Sequence, residues 1–205
     1  VGGAMSPLRV YRDDGALASV AGRFVRLPFG ALPLTAAGAL PLLAVLVFAG
    51  GVPAAGLVAV AFLVAVAGAA RSRAERGRLA WLVPPLLRAL EYGILLWLTD
   101  LADADALPAC FALLGVLAFH HYDTVYRLKH QGVAPPTWLR IASGGWDGRL
   151  VVVYALAAAD ALEPVLAVLA LALGVLFVSE SVVSWLGAAR AEGTPTYIDE
   201  DLEDA

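Results

Sequence analysis

The sequence predicts an all-α fold: a polytopic transmembrane helix bundle of about six spans with both termini cytoplasmic. Three observations carry this expectation. Hydrophobic residues make up 60% of the 205 and mean hydropathy is +0.79, more apolar surface than a water-soluble domain hides. The apolar residues gather into stretches close to the roughly 20 residues needed to cross a hydrocarbon core about 30 Å thick. The lysines and arginines fall in every second loop.

Taken in order, residues 1–30 form a cytoplasmic N-terminal segment, polar and arginine-bearing, without the pattern of a secretory signal peptide. Val1 leaves open a GUG-encoded start or the C-terminal piece of a longer polypeptide. The bundle occupies 31–187, with spans at roughly 32–49, 53–70, 79–99, 106–126, 149–161 and 164–187. Prolines 33, 41, 53, 84, 85, 108 and 164 sit near starts or mark kinks, and interior glycines and alanines allow close helix approach. The fifth stretch is short for a crossing unless Trp146 and Gly148 lengthen it; a re-entrant segment is the alternative. Residues 188–205 are expected to be a disordered acidic tail, whose YIDEDLEDA supplies five of the carboxylates behind the net charge of −4. The single cysteine, Cys110, lies in an apolar run and is expected to pack, which excludes a disulfide framework.

The basic residues orient the spans. Arg9, Arg12, Arg23 and Arg26 precede the first; Arg71, Arg73, Arg76 and Arg78 separate the second and third; Arg127, Lys129, Arg140 and Arg149 flank or occupy the fourth loop; Arg190 follows the sixth. The alternate loops hold none, which is the positive-inside pattern for an even number of spans. Arg88 alone lies inside a span. Arginines that flank a membrane in this way do not make a nucleic-acid face.

The polar residues inside the apolar runs are the candidate site. Across AFHHYDTVYRLKHQG, His120, Asp123, Thr124 and Arg127 share one helix stripe, while Tyr122, Tyr126 and Lys129 share another that reads as interfacial anchoring. Ionisable groups at membrane depth are costly and are usually kept to pair, to move protons or to bind a charged ligand. His120 and Asp123 are therefore candidates for a proton or metal pair and Arg127 for a phosphate contact. In span three, Arg88 stands i,i+3 from Glu91 and i,i+4 from Tyr92; in span six, Glu180 shares a face with Ser181 and Ser184. Both acids join the candidate catalytic set; mutual neutralisation as structural glue is the alternative. At the start of span five, Asp147 is expected to cap that helix, Trp146 to anchor at the interface, and Arg149 to clamp an anion, with Arg88 and Asp147 completing the substrate-binding set. A cytoplasmic cavity lined by these groups suits a phosphate-bearing headgroup, with magnesium or manganese as the divalent ions its oxygen ligands favour. A third reading, proton-coupled transport through Glu91, Arg88 and Glu180, lacks a visible inverted repeat.

The blocks RDDGALASVAGRFVRLP, WLVPPLLRALEYG, FHHYDTVYRLKHQGVAPPTWLR, GGWDGRL and FVSESVVSW, spanning residues 8 to about 187, resemble a bacterial integral-membrane domain family of unknown function. HHYDTVYR is the most specific block. Members of that family are often fused to CDP-alcohol phosphatidyltransferase and sugar-nucleotidyltransferase modules. The resemblance implies a multi-pass protein of the bacterial inner membrane in the setting of phospholipid or lipid-linked headgroup synthesis. It implies two roles: binding or processing a phosphate-bearing lipid, as a transferase if an enzyme, or a non-catalytic subunit that positions such a partner. The phosphatidyltransferase signature itself, DG-x2-AR-x8-G-x3-D-x3-D, is not kept: Ser19 stands after Asp14-Gly15-x-x-Ala18 where arginine belongs, and Asp147-Gly148 lacks the later aspartates.

Overall fold

The computed structural model describes residues 7–25, 29–40, 52–71 and 79–192. Among them every regular element is a helix: α1 (Pro7–Arg12), α2 (Ala16–Phe24), α3 (Ala31–Ala37), α4 (Val52–Ala70), α5 (Val83–Ala102), α6 (Leu107–His130), α7 (Thr137–Ala142), α8 (Gly145–Ala158) and α9 (Leu162–Glu192). Short 3-10 turns, Ala80–Leu82 and Ala104–Ala106, lead into α5 and α6. Both long helices carry proline in the first turn, where the missing N–H would have had no intrahelical acceptor. Asp103, in extended conformation, ends α5, and its carboxylate accepts the Asp105 N–H at 3.1 Å to start the short turn before α6. After α6, Gly132 takes φ +67 and Pro135-Pro136 forces extended chain, so the helix cannot continue.

Three stretches are long and apolar enough to cross a membrane: Ala80–Ala102, Ala104–His130 and Leu162–Arg190, of 23, 27 and 29 residues. They coincide with the expected spans three, four and six. The apolar part of α4, Ala55–Ala70, is shorter, and α8 has 14 residues, which at 1.5 Å per residue is about 21 Å of helix. Of the expected first span, Ala31–Ala37 is helical; residues 41–51 lie outside the described residues, as do most of the acidic tail and the arginines at 73, 76 and 78.

Contacts fix helix directions. On α6 and α9, Val116 faces Gly174 and Asp123 faces Ser181, so the two helices run the same way. Helices α5 and α8 run together in the opposite sense, with Arg149 against Glu91 and Tyr154 and Leu98 both against Gly56 of α4. The C-terminal halves of α6 and α9, the C-terminus of α4, and the N-terminal ends of α5 and α8 therefore collect at one end of the molecule, where α1 and α2 also pack. Leu87, Ile94 and Leu98 of α5, Leu113 and Leu117 of α6 and Leu150 of α8 fill the core, all fully buried. α2 meets α4 through glycines: a Cβ on Gly22 would stand 2.6 Å from the Gly68 carbonyl oxygen, and one on Gly68 2.7 Å from the Ala21 Cβ. α9 is apolar on its outer side as well as its inner, with Val168, Leu171, Val175 and Val183 exposed, the pattern of a helix set in hydrocarbon.

Candidate functional site

At the collected end, two glycine-bearing turns interlock. The turn between α1 and α2, Arg12-Asp13-Asp14-Gly15, buries its three charged side chains, and the turn before α8 packs directly on it. Gly144 and Gly145 both adopt positive φ, and a Cβ on Gly145 would fall 2.5 Å from the Gly15 nitrogen. The Trp146 N–H donates to the Asp13 carbonyl oxygen at 3.2 Å and its indole Nε1 to Asp14 Oδ1 at 2.9 Å. Trp146 is thus wholly buried and joins two turns, which corrects its expected place as an interface anchor. Arg12 donates through Nε and Nη2 to Asp14 at 2.9 and 3.0 Å and through Nη2 to the Ala67 carbonyl at 2.7 Å, tying the turn to α4.

Asp147 also differs from expectation. Its carboxylate accepts the N–H groups of Gly15, Leu17 and Ala18 at 2.5, 2.7 and 3.0 Å, so it caps α2 from 130 residues away along the chain and not its own helix. The physical reason is that Gly15 supplies no side-chain cap, and the four free N–H groups at that buried helix start need an acceptor from elsewhere.

Beneath these turns lies a four-member ionic network. Arg149 donates Nε to Glu91 Oε1 at 2.8 Å and Nη2 to Asp13 Oδ2 at 2.9 Å. Arg88 donates to Glu91 Oε2 and to the Arg12 carbonyl oxygen, and its Nη1 lies 2.9 Å from His121 Nε2. A guanidinium only donates, so Nε2 accepts, the ring proton is assigned to Nδ1, and that N–H donates to the Tyr92 hydroxyl at 2.8 Å. Two arginines balance two carboxylates here, so Arg149 is engaged by Asp13 and Glu91 where an anion clamp was expected. Burial by itself raises the Asp13 carboxyl, but the touching Arg149 guanidinium, with His121 and Arg88 close by, holds it well below the usual carboxylate range. Because the folded value lies below the ordinary one of about 3.9, Asp13 contributes stability that is complete above that pH and falls away between it and the folded value. Thermal unfolding followed from pH 7 down to pH 4 is therefore expected to show no loss attributable to Asp13, with the decline setting in below.

A second network joins α6 to α9. Arg127 donates Nη1 and Nη2 to the two oxygens of Glu180 at 2.9 and 2.8 Å, and its Nε lies 3.0 Å from Asp123 Oδ2. Asp123 Oδ1 accepts from Ser181 Oγ at 2.9 Å and from Trp185 Nε1 at 3.2 Å. Asp123 and Arg127 thus pair as their i,i+4 spacing predicts and Glu180 joins them from α9, but His120 does not. Its ring stacks on Phe177, centroids 4.0 Å apart and planes 12° apart.

His120 instead borders a cavity of ≈ 430 Å³ between α1, the start of α5, the second half of α6 and the segment leading to α7. Its buried polar lining is Asp13, His120 and Thr124, with Arg88 and His121 partly buried beside them. Its walls are apolar, formed by Leu8, Val10, Pro84, Pro85 and the exposed Trp81 and Val125. Arg140 of α7, half-buried, borders this cavity and a smaller one of ≈ 200 Å³ beside Asp14 and Ser19, and its guanidinium has no carboxylate partner among the described residues. Asp123, Arg127, Asp147, Arg149, Glu91 and Glu180 lie off the cavity wall.

No group of three or more His, Cys, Asp or Glu side chains is placed to hold a metal ion among the described residues. The carboxylates that would serve magnesium or manganese already face guanidinium or N–H donors, so the residues present do not fit such an ion. Sequence reasoning missed the buried Arg12-Asp13-Asp14 turn, His121 and Arg140. The first had a readable signal: adjacent acids next to glycine, behind an arginine, in a chain this apolar.

No curated protein and no solved structure matches the chain. A family of unknown function, DUF5941, matches residues 3–203, and the chain belongs to that family.

Proposed function

We propose that this is a multi-pass protein of a bacterial cell membrane, of about six spans with both termini cytoplasmic, that binds a phosphate-bearing lipid by its headgroup at the cytoplasmic face, in the setting of phospholipid or lipid-linked headgroup synthesis. One observation carries the proposal: a cavity whose walls are apolar and exposed to the bundle's outside, whose depth is polar, and whose border holds a guanidinium without a counter-ion among the described residues. An amphipathic anion matches all three. Opposed helix directions support the six-span topology, since α4, α6 and α9 run one way and α5 and α8 the other. The positive-inside distribution of arginine gives the cavity its cytoplasmic side.

Arg140, not Arg127 or Arg149, is the phosphate contact in this reading, because both of those are paired with carboxylates and lie off the cavity wall. A charge-assisted hydrogen bond is worth about 1.5–3 kcal/mol, so Arg140→Gln is expected to weaken binding of dioleoyl phosphatidic acid at least about tenfold. Native mass spectrometry of the detergent-solubilised protein reads this, with dioleoylglycerol as the neutral control and glycerol 3-phosphate as the free headgroup. Equal affinity for phosphatidic acid and dioleoylglycerol would sink the proposal. Full competition by glycerol 3-phosphate would reassign the ligand to a soluble phosphate.

A second reading has an observation of its own. The mutual saturation of Arg127, Asp123 and Glu180 between α6 and α9 is what a non-catalytic subunit that positions a CDP-alcohol phosphatidyltransferase-type partner would need from its polar residues: interhelical glue with no chemistry attached. Lipid binding that survives Arg140→Gln, together with co-purification of such a transferase, would favour it.

A further inference from the structure

We infer that the floor of the large cavity is a hydroxyl-recognition subsite, in which His120 and Thr124 bind a free hydroxyl on the headgroup of the phosphate-bearing lipid. The inference rests on the lipid reading above and adds which class of headgroup is taken.

Two buried side-chain atoms without a hydrogen-bond partner among the described residues, Thr124 Oγ1 and Arg88 Nε, belong to residues that line this cavity; the others, on Arg12, Arg127, Gln131 and Arg149, do not. His120 and Thr124 stand one helical turn apart on α6, both about 95% buried, and both border the cavity. The Thr124 hydroxyl is buried and has no hydrogen-bond partner among the described residues, and the His120 ring lies one turn before it on the cavity wall. Across the same floor, Arg88 Nε is likewise buried and unpartnered, although its other nitrogens are engaged. Buried polar atoms are nearly always hydrogen-bonded, so two exceptions at one cavity, beside the His120 ring, point to a partner that occupies it.

The chemistry of the three groups narrows that partner. As a neutral ring, His120 presents one donor and one acceptor nitrogen; Thr124 presents both; Arg88 Nε only donates. An ionised phosphodiester and acyl esters offer acceptors alone, so they leave the acceptor nitrogen of His120 unmatched. An ammonium offers donors alone and leaves Arg88 Nε and the His120 N–H unmatched. A hydroxyl gives and accepts, and one neutral hydroxylated headgroup serves all three while its phosphate reaches Arg140. The stacking of His120 on Phe177 restricts the ring, which borders the cavity.

The test compares phosphatidylglycerol with phosphatidylpropanol, which matches its charge and length but lacks both headgroup hydroxyls, on the full-length protein by native mass spectrometry. Wild type is expected to prefer phosphatidylglycerol about tenfold or more, since a site built around a hydroxyl rejects the analogue that lacks it. Thr124→Val keeps the side-chain shape and removes an unpartnered hydroxyl, so it is expected to fold with an unchanged or higher melting temperature while the preference falls. Thr124→Ser is expected to keep it. His120→Gln, which retains a donor and an acceptor, should keep part of the preference, and His120→Phe should abolish it. Arg140→Gln is expected to lower both affinities and leave their ratio intact. Binding of both lipids without preference overturns the inference and leaves the lipid reading standing; binding of neither overturns both. A stronger preference for phosphatidylethanolamine than for phosphatidylglycerol also overturns it, because it assigns the floor to an ammonium.

Discussion

Arg149→Met is expected to destabilise the folded protein by about 3–5 kcal/mol, the cost of leaving a buried charge without its partner. Arg149 is the one guanidinium that touches Asp13, and it shares Glu91 with Arg88. Without it, both acids remain buried against a single arginine. For a chain of this size the loss corresponds to roughly 6–20 °C in melting temperature, measurable by scanning fluorimetry in mild detergent. The companion variant Asp13→Asn with Arg149→Met is expected to recover much of that loss, since removing both members of a buried pair is often close to neutral. A single Arg149→Met protein that melts within about a degree of wild type would show that the network is not what holds α8 to α5 and the amino-terminal turn.

Gly145→Ala is expected to rival it through sterics alone. The residue holds φ +64, where a side chain costs about 1–2 kcal/mol, and its Cβ would lie 2.5 Å from the Gly15 nitrogen and 2.8 Å from the Asp13 carbonyl oxygen. These neighbours are backbone and cannot swing away, so overpacking adds about 1–3 kcal/mol. Gly148→Ala is the control, because its Cβ would meet nothing within 4 Å. If the two alanines melt alike, the interlocking of the turns contributes nothing, and the description of that contact fails.

The parts of this molecule that local rules govern were legible in the sequence. Hydropathy marked the three long apolar helices, and helical spacing brought Asp123 to Arg127 and Arg88 to Glu91, because residues three and four apart share a face whatever the tertiary fold. Glu180 stood out as an acid in an apolar run, though its partner, Arg127 on another helix, was not named by the sequence. Action across the chain was not legible in the same way. Local capping rules assign Asp147 to its own helix, and only the crossing of α8 over α2 turns it toward Gly15. Arg149 resembles a free anion clamp until Asp13 and Glu91, 136 and 58 residues away, are folded against it. Arg140 reads as one more loop arginine. Its distinction is to lack a counter-ion, and that requires knowing where every nearby carboxylate went.

The capping of α2 by Asp147 also sets an order on synthesis. Ribosomes deliver the amino-terminal helices first, yet the acceptor for the Gly15, Leu17 and Ala18 N–H groups, the arginine for Asp13 and the indole for Asp14 all arrive about 130 residues later. Until α8 is made, the turn between α1 and α2 lacks those partners and keeps contacts such as those of Arg12 with Asp14 and the Ala67 carbonyl, while the helices between are laid down. The turn is thus made early and completed late, and nascent chains stalled before residue 147 are expected to expose it to protease while longer chains that include α8 protect it.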